Sequence, residues 1–306
     1  MEQKPVAQPP AIALSAHVAL DPALLWCAVD RWRALVRLRR EQFERLIGEV
    51  RTKDSDAYWS RRVASYYENV RRLPGPGPIV EAVLDATRPG DTVLDVGAGF
   101  GTVAVPVAGA GRRVTVIEPS GSMLEYLQRW ALEVGVAGHI RTVRAHWEDT
   151  EVEPHDAVVC AHVLYPIEDV VPFLERLRRA ARRECLVALR LTAPESAPAE
   201  LFRELHGEER VLQPAFGDLC AVLGELGWSF RASVHGADST WSFESIQDAV
   251  DSLAQSLLVA GGPDGESGRE RVRRWAEANM RVEGGRFLPP RPQADVGIAR
   301  LGLDSA

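Results

Sequence analysis

The residues with the clearest chemistry lie in one short run, TVLDVGAGFG, where a buried-strand pattern ends in Asp95 and enters a turn carrying Gly97, Gly99 and Gly101. Glycine lets a backbone approach a ligand where any Cβ would collide. Dinucleotide enzymes use the same device, and two details separate the cases. A GxGxxG fingerprint counted from Gly97 needs glycine where Thr102 stands; the spacing here is GxGxG. Asp95, just ahead of the glycines, repels a pyrophosphate and attracts the ammonium of a zwitterionic amino acid. An adenosyl amino acid therefore fits this turn better than a nicotinamide dinucleotide.

Such a turn needs a rigid frame, and the pattern around it alternates. Helix-like IVEAVLDA precedes TVLDV, and RVTVIE follows the glycines and leads into SGSMLEYLQRWALEV. TVRA, DAVVCA and CLVALRL are further strands, the last two separated by the amphipathic VVPFLERLRRAARR. Strands rich in Val, Leu and Ile with helices between them predict a doubly wound α/β fold, a parallel sheet covered on both faces. FGDLCAVLGELG reads as a helix, WSFRASVH and ADVGIARL as late strands, and Ser242 to Met280 as a helical insert between them.

Ahead of this domain, Asp21 and Pro22 signal the start of a long helix running toward Val50. Its arginines read as charge on a solvated face, not as a site for an anionic partner. A second helix is expected through AYWSRRVASYYENVRR, and LPGPGP (Leu73 to Pro78) punctuates the chain like a linker. This divides the chain into an N-terminal tail and helical cap, 1–75, and a main domain, 76–306, with its insert at about 242–280. Residues Met1 to Pro10, with three prolines, read as a loose tail.

DVGAGFG followed by VTVIEPS resembles the first two motifs of class I S-adenosylmethionine-dependent methyltransferases, clearly over roughly Pro76 to Leu191. The resemblance implies a seven-stranded, mostly parallel sheet with an antiparallel last hairpin. It implies that Asp95, Gly97, Gly99 and Gly101 abut the methionine part of S-adenosyl-L-methionine. It also implies that Glu118, with Pro119 after it, holds the ribose hydroxyls. The third motif falls in AHWEDTE, where His146 stands in the usual place of Asp, so Trp147 and Glu148 are the candidates for the adenine. A lid is implied for the N-terminal aromatics Tyr58, Trp59, Tyr66 and Tyr67, of which Tyr58, Trp59 and Tyr66 are expected to border the substrate.

Ligands of open α/β sheets bind beyond the carboxyl ends of the strands. His162 and Tyr165, after the fourth strand, thus face the reaction space as candidate catalytic groups, with His162 also bordering the cofactor. Arg190, ending CLVALRL, is positioned to bind an anionic acceptor or to make a surface ion pair. Methyl transfer from a sulfonium asks the protein to align the nucleophile and exclude water. A base is needed only for a protonated acceptor, and His162, Tyr165 or His146 could serve. No zinc pattern such as HExxH or paired CxxC is present, so no metal is expected.

The net charge of -7 and pI of about 5.6 argue against nucleic acid as a partner, since phosphate-backbone binding needs a positive surface. Four scattered cysteines fit a reducing cytoplasm. The apolar stretch Ala11 to Val29 is broken by His17, Asp21 and Pro22, so no membrane span is expected. The expectation is a cytoplasmic methyltransferase acting on a small molecule. The alternatives are a non-catalytic protein that binds S-adenosylmethionine or S-adenosylhomocysteine, and a nicotinamide-dependent oxidoreductase.

Overall fold

The computed structural model describes residues 27–47, 56, 60, 63–73, 75–193, 198–236, 242–259, 263–290 and 295–303. In chain order the helices are α1 (Ala28–Ile47), α2 (Val63–Arg71), α3 (Pro78–Ala86), α4 (Ala104–Gly109), α5 (Gly121–Glu133), α6 (Val170–Ala180), α7 (Ala199–His206), α8 (Phe216–Glu225), α9 (Ile246–Ser256) and α10 (Pro263–Asn279). The strands are β1 (Thr92–Val96), β2 (Arg113–Ile117), β3 (Ile140–Val143), β4 (His155–Ala161), β5 (Ala181–Arg190), β6 (Phe230–His235), β7 (Arg281–Glu283), β8 (Arg286–Leu288) and β9 (Val296–Leu301).

Seven strands form one sheet in the order β3-β2-β1-β4-β5-β9-β6. The pairs from β3 through β5 are parallel, and β9 runs antiparallel to both β5 and β6. This is the doubly wound, mostly parallel sheet with an antiparallel last hairpin expected above. The strand period of two divides its side chains between two cores. Leu94, Val96, Val158, Cys160, Val187 and Leu189 face one cluster, with α6, α8 and Trp32 of α1. Val93, Val114, Val116, Ala157, Val159 and Leu186 face the other, with α3, α4 and α5. Burial on both faces explains why the strands read as continuous apolar runs.

The arginines of α1 that meet acids of the main domain remain exposed, as expected, and their charge is answered within the protein and not by an external anion. Arg37 and Arg40 meet Glu168 at 2.7 and 3.0 Å, Arg31 meets Asp218 at 3.3 Å, and Arg45 meets Glu208 at 2.8 Å. Trp32, fully buried, donates its indole N–H to the Ile167 carbonyl at 2.7 Å. The helix is docked by one buried ring and fastened by charges around it.

Within 242–280, α9 and α10 share a separate cluster with Leu201 and Phe202 of α7. Beyond it, RVEGGRFL forms the short antiparallel hairpin β7-β8, which the sequence reading leaves unassigned. Gly284 and Gly285, with φ of 56° and 76°, make its two-residue turn. No helix among the described residues is long and apolar enough to cross a membrane.

Candidate functional site

The carboxyl ends of β1, β2, β4 and β5 share one rim, and the candidate residues gather there. Gly97, Gly99 and Gly101 all have left-handed backbones, with φ of 71°, 56° and 89°. Their reasons differ. A Cβ on Gly97 would stand 2.4 Å from a Val163 methyl, and one on Gly101 would stand 2.9 Å from Val105 and 3.0 Å from Leu127. Those two glycines are required by packing inside the protein. A Cβ on Gly99 would meet nothing nearer than the Met123 sulfur at 3.9 Å, so Gly99 borders open space and is the glycine placed to approach a ligand.

Glu118, at the end of β2, is buried, and both its oxygens are engaged. Oε2 accepts the Gly99 amide and Oε1 the Ser120 amide, each at 2.9 Å. Each carboxylate oxygen has two lone pairs, so a second acceptor position remains on both. Burial raises its pKa, and the two backbone amides and His146 work against that rise. Asp95 is 2% exposed, and its Oδ2 has no hydrogen-bond partner among the described residues. Burial first, and the nearby Glu118 second, push its pKa up to about 7, against the opposing hydrogen bond from the Ala104 amide. A buried carboxylate oxygen with no donor, beside a turn that opens onto free space, is a site short of a cation or a donor.

The residues after β3 divide. Trp147 is buried against Phe173, its face covered by the Arg176 guanidinium at 4.9 Å, so it forms a wall of the core and not a surface for stacking. Glu148 is exposed. His146 is the member of AHWEDTE whose charge reaches Glu118. Pro119 lends its carbonyl to Arg144 at 3.3 Å.

After β4, His162 holds φ of 62°, a left-handed backbone unusual for a residue other than glycine, while its amide donates to the Ala188 carbonyl at 2.8 Å. Such strain persists where the surroundings enforce it and concentrates at functional positions. Its Nδ1 lies 3.0 Å from the Tyr165 hydroxyl, which accepts the Arg190 backbone amide at 2.9 Å. His162 is exposed at the rim, with protein atoms crowded around its ring. This confinement, helped by Arg190, lowers the His162 pKa to about 4, and burial raises that of Tyr165 to about 12. Both are uncharged at neutral pH.

Of the aromatic residues expected over the site, Tyr58 and Trp59 lie outside the described residues. Tyr66 packs against a cluster in which Tyr67 and Phe100 are buried, with Tyr67 set edge-on to Phe100, Tyr126 and Trp130. Because Phe100 belongs to the glycine turn, α2 is fixed over that turn. Asp56 was not singled out in the sequence. It accepts the hydroxyls of Ser120 and Ser122 at 2.6 and 2.8 Å and so brings the N-terminal segment to the end of β2. Only the Ser-Gly-Ser run after Pro119, a helix-start composition, hints that an acceptor is wanted there. An open depression of about 330 Å³ between α3 and β6, lined by Glu81, Asp85, Arg231 and Arg300 among others, shares no residue with this rim.

Residues 93–184 match the family model described as "Methyltransferase domain". The stretch that holds the glycine turn, β2 and β4 is thus similar to a methyltransferase domain. Among curated relatives, the chain is 25% identical to a magnesium-protoporphyrin O-methyltransferase of Synechocystis sp., over 72% of its own length and 90% of the relative's. It is 34% identical to ribosomal RNA small subunit methyltransferase G of Alkalilimnicola ehrlichii, over 39% of its length and 53% of the relative's. It is 35% identical to a ubiquinone biosynthesis O-methyltransferase of Methylocella silvestris, over 29% and 36%. The chain thus spans most of the first relative, about half of the second and about a third of the third. Solved structures similar to it include a magnesium protoporphyrin IX methyltransferase from Synechocystis PCC 6803 with bound SAH, at 18% identity and a TM-score of 0.46, covering 87% of this chain and 99% of that one. Another is a SAM-dependent methyltransferase from Geobacter sulfurreducens in complex with S-adenosyl-L-homocysteine, at 18% identity and a TM-score of 0.48, covering 79% and 98%. The methyltransferase relatives carry acceptor names as different as a porphyrin and a ribosomal RNA, so an acceptor has to be argued from this chain's own rim.

Proposed function

We propose that this protein binds S-adenosyl-L-methionine at the Gly99–Glu118 rim and transfers its methyl group to a small-molecule acceptor beside His162, Tyr165 and Arg190. The observation that carries the reading is the combination at the ends of β1 and β2. Gly99 faces open space, Glu118 keeps accepting positions on both oxygens, and Asp95 holds a buried oxygen without a donor. Adjacent ribose hydroxyls suit Glu118, and an ammonium suits Asp95. Pro119, His146 and Glu148 are the residues nearest in sequence for the adenine end. When bound, the cofactor supplies a methyl group already activated on a sulfonium, so the protein's task is alignment and the exclusion of water.

An acceptor site bounded by α2 on one side and the β4–β5 rim on the other suits a metabolite better than a folded macromolecule. The acidic net charge of -7 points away from a nucleic acid in the same way. Calorimetry with S-adenosylhomocysteine and with NAD tests the cofactor, and binding of NAD alone overturns this reading. Incubation with labelled S-adenosylmethionine and a small-molecule extract tests the transfer. Binding without transfer to any component would leave a sensing or assembly role instead.

A further inference from the structure

We propose that Arg286 is a positioning residue that gates the rim: it clasps the helical insert to α2 and so closes a roof over the space between the glycine turn and the end of β5. This rests on the reading above, that the cofactor binds at the Gly99–Glu118 rim. The first observation is topological. β6 ends and β9 begins at the carboxyl end of β5, where His235 and Arg190 both pair with Val296. The chain between them, which holds α9, α10 and the β7-β8 hairpin, therefore leaves and re-enters the sheet at the rim. α2 stands over the same rim from the other side, its Tyr67 ring 6.0 Å from that of Phe100 in the glycine turn. Only β4 separates β1 from β5, so the two anchor points lie about 10 Å apart at the sheet. His162 and Tyr165, which follow β4, lie between them.

The second observation is the clasp itself. Arg286, the first residue of β8, divides its guanidinium between the two bodies. Nη2 donates to Asn69 Oδ1 of α2 at 3.0 Å and to the Ser242 carbonyl at 2.9 Å, while Nε donates to the Ser242 hydroxyl at 2.9 Å and Nη1 to Glu244 at 3.2 Å. The Ser242 hydroxyl in turn donates to Asn69 at 3.0 Å, and Arg72, just past α2, meets Glu244 at 3.3 Å. Phe243 and Phe287 exchange backbone hydrogen bonds at 2.9 Å, so residues 242–244 and the hairpin form one piece. The apolar cluster that seats α2 and the one that holds α9 and α10 share no residue. What joins the two bodies is a set of hydrogen bonds at a partly exposed surface, which water can replace at small net cost. Such a joint opens without unfolding either side. Closed, the roof keeps water from the sulfonium and admits only an acceptor that fits beneath it; open, it lets cofactor and acceptor pass.

The test measures S-adenosylhomocysteine association and dissociation rates on the immobilised full chain by surface plasmon resonance, with hydrogen exchange on the free protein. Arg286→Gln is expected to raise both rates by about tenfold while the equilibrium affinity stays within about threefold. Amide exchange should quicken in residues 63–71 and 281–288 and stay unchanged in α5. Asn69→Ala breaks the clasp from the other side and should act alike, with the double variant no faster than either alone; it serves where the Arg286 variant does not fold. Arg286→Lys, which keeps the charge and loses the planar fork, should fall between. Slower association with weaker affinity is the mark of a merely structural role and overturns the gate. Unchanged rates in the folded variants overturn it too, and leave the cofactor site standing. Failure of the unaltered protein to bind S-adenosylhomocysteine overturns this proposal and the cofactor reading together.

Discussion

The amide of Gly99 donates to Oε2 of Glu118 at 2.9 Å, so the carboxylate that ends β2 also holds the tip of the glycine turn on β1. Glu118→Gln puts an NH2 group where one of two backbone donors now finds an acceptor. Losing a charge-assisted hydrogen bond costs about 1.5 to 3 kcal/mol, or roughly tenfold to hundredfold in affinity. Calorimetry with S-adenosylhomocysteine checks this, and unchanged affinity in the folded variant removes Glu118 from the site.

The glycines separate stability from binding. Gly97→Ala forces a Cβ to within 2.4 Å of Val163 on top of a left-handed backbone, and should destabilise the fold by more than about 2 kcal/mol. Gly99→Ala meets no such clash and should cost about 1 kcal/mol from its backbone alone. Its Cβ projects into the space assigned to the cofactor, so S-adenosylhomocysteine affinity should fall further than stability does. Urea unfolding and calorimetry on both variants decide; equal effects on affinity would mean that Gly99 does not border the ligand.

Asp95 carries a pH dependence whose sign differs for folding and for binding. Its folded pKa of about 7 lies above the value of 3.8 for a free carboxyl, so the folded state binds the extra proton between those limits. The stability Asp95 contributes is present in acid and is lost as pH rises through 7. The ammonium group of the ligand favours the ionised form, so S-adenosylhomocysteine should bind about tenfold more tightly at pH 8 than at pH 6. Asp95→Asn should flatten that profile. A flat profile in the unaltered protein would show that Asp95 does not meet the ammonium.

Trp32 reaches the rim indirectly. Its N–H fixes the Ile167 carbonyl, and Arg37 and Arg40 hold the next residue, Glu168, in the segment that carries His162 and Tyr165. Trp32→Phe keeps an aromatic ring in the core but strands that carbonyl, at about 1 to 3 kcal/mol by urea unfolding. The acceptor KM should rise with S-adenosylhomocysteine affinity unchanged. Parallel loss of both would show that α1 supports the whole domain and not this segment in particular.

The parts legible in the sequence are those with local causes. Apolar runs of strand length, the Asp95 to Gly101 turn and the acid closing RVTVIE each announce themselves within a few residues, and the seven-stranded sheet with its antiparallel last hairpin followed from the resemblance they carry. What stayed hidden depends on distant partners. The arginines of α1 show no partner until Glu168, more than 120 residues away, is brought beside Arg37 and Arg40. Gly97 and Gly99 are the same residue type with different neighbours, which only the fold distinguishes. Trp147 sits on the strand end that the motif marks, and its burial under α6 turns a candidate ligand contact into a wall. The hairpin β7-β8 is three residues a side, too short for alternation to show.

The order of strands has a consequence for the sequence of synthesis. β9 lies between β5 and β6, so two strands that leave the ribosome earlier cannot be joined until a strand made later is inserted between them. Until then both expose unpaired amides and carbonyls, and β6 brings a half-exposed Val234 to an open edge. A nascent chain stalled anywhere in α9 or α10 is therefore a five-stranded sheet whose β5 edge is a ready template for another chain, a form prone to association. The same arrangement makes residues 296–301 the stitch between two strands, so their loss would open one edge of β5 and leave β6 without a strand partner.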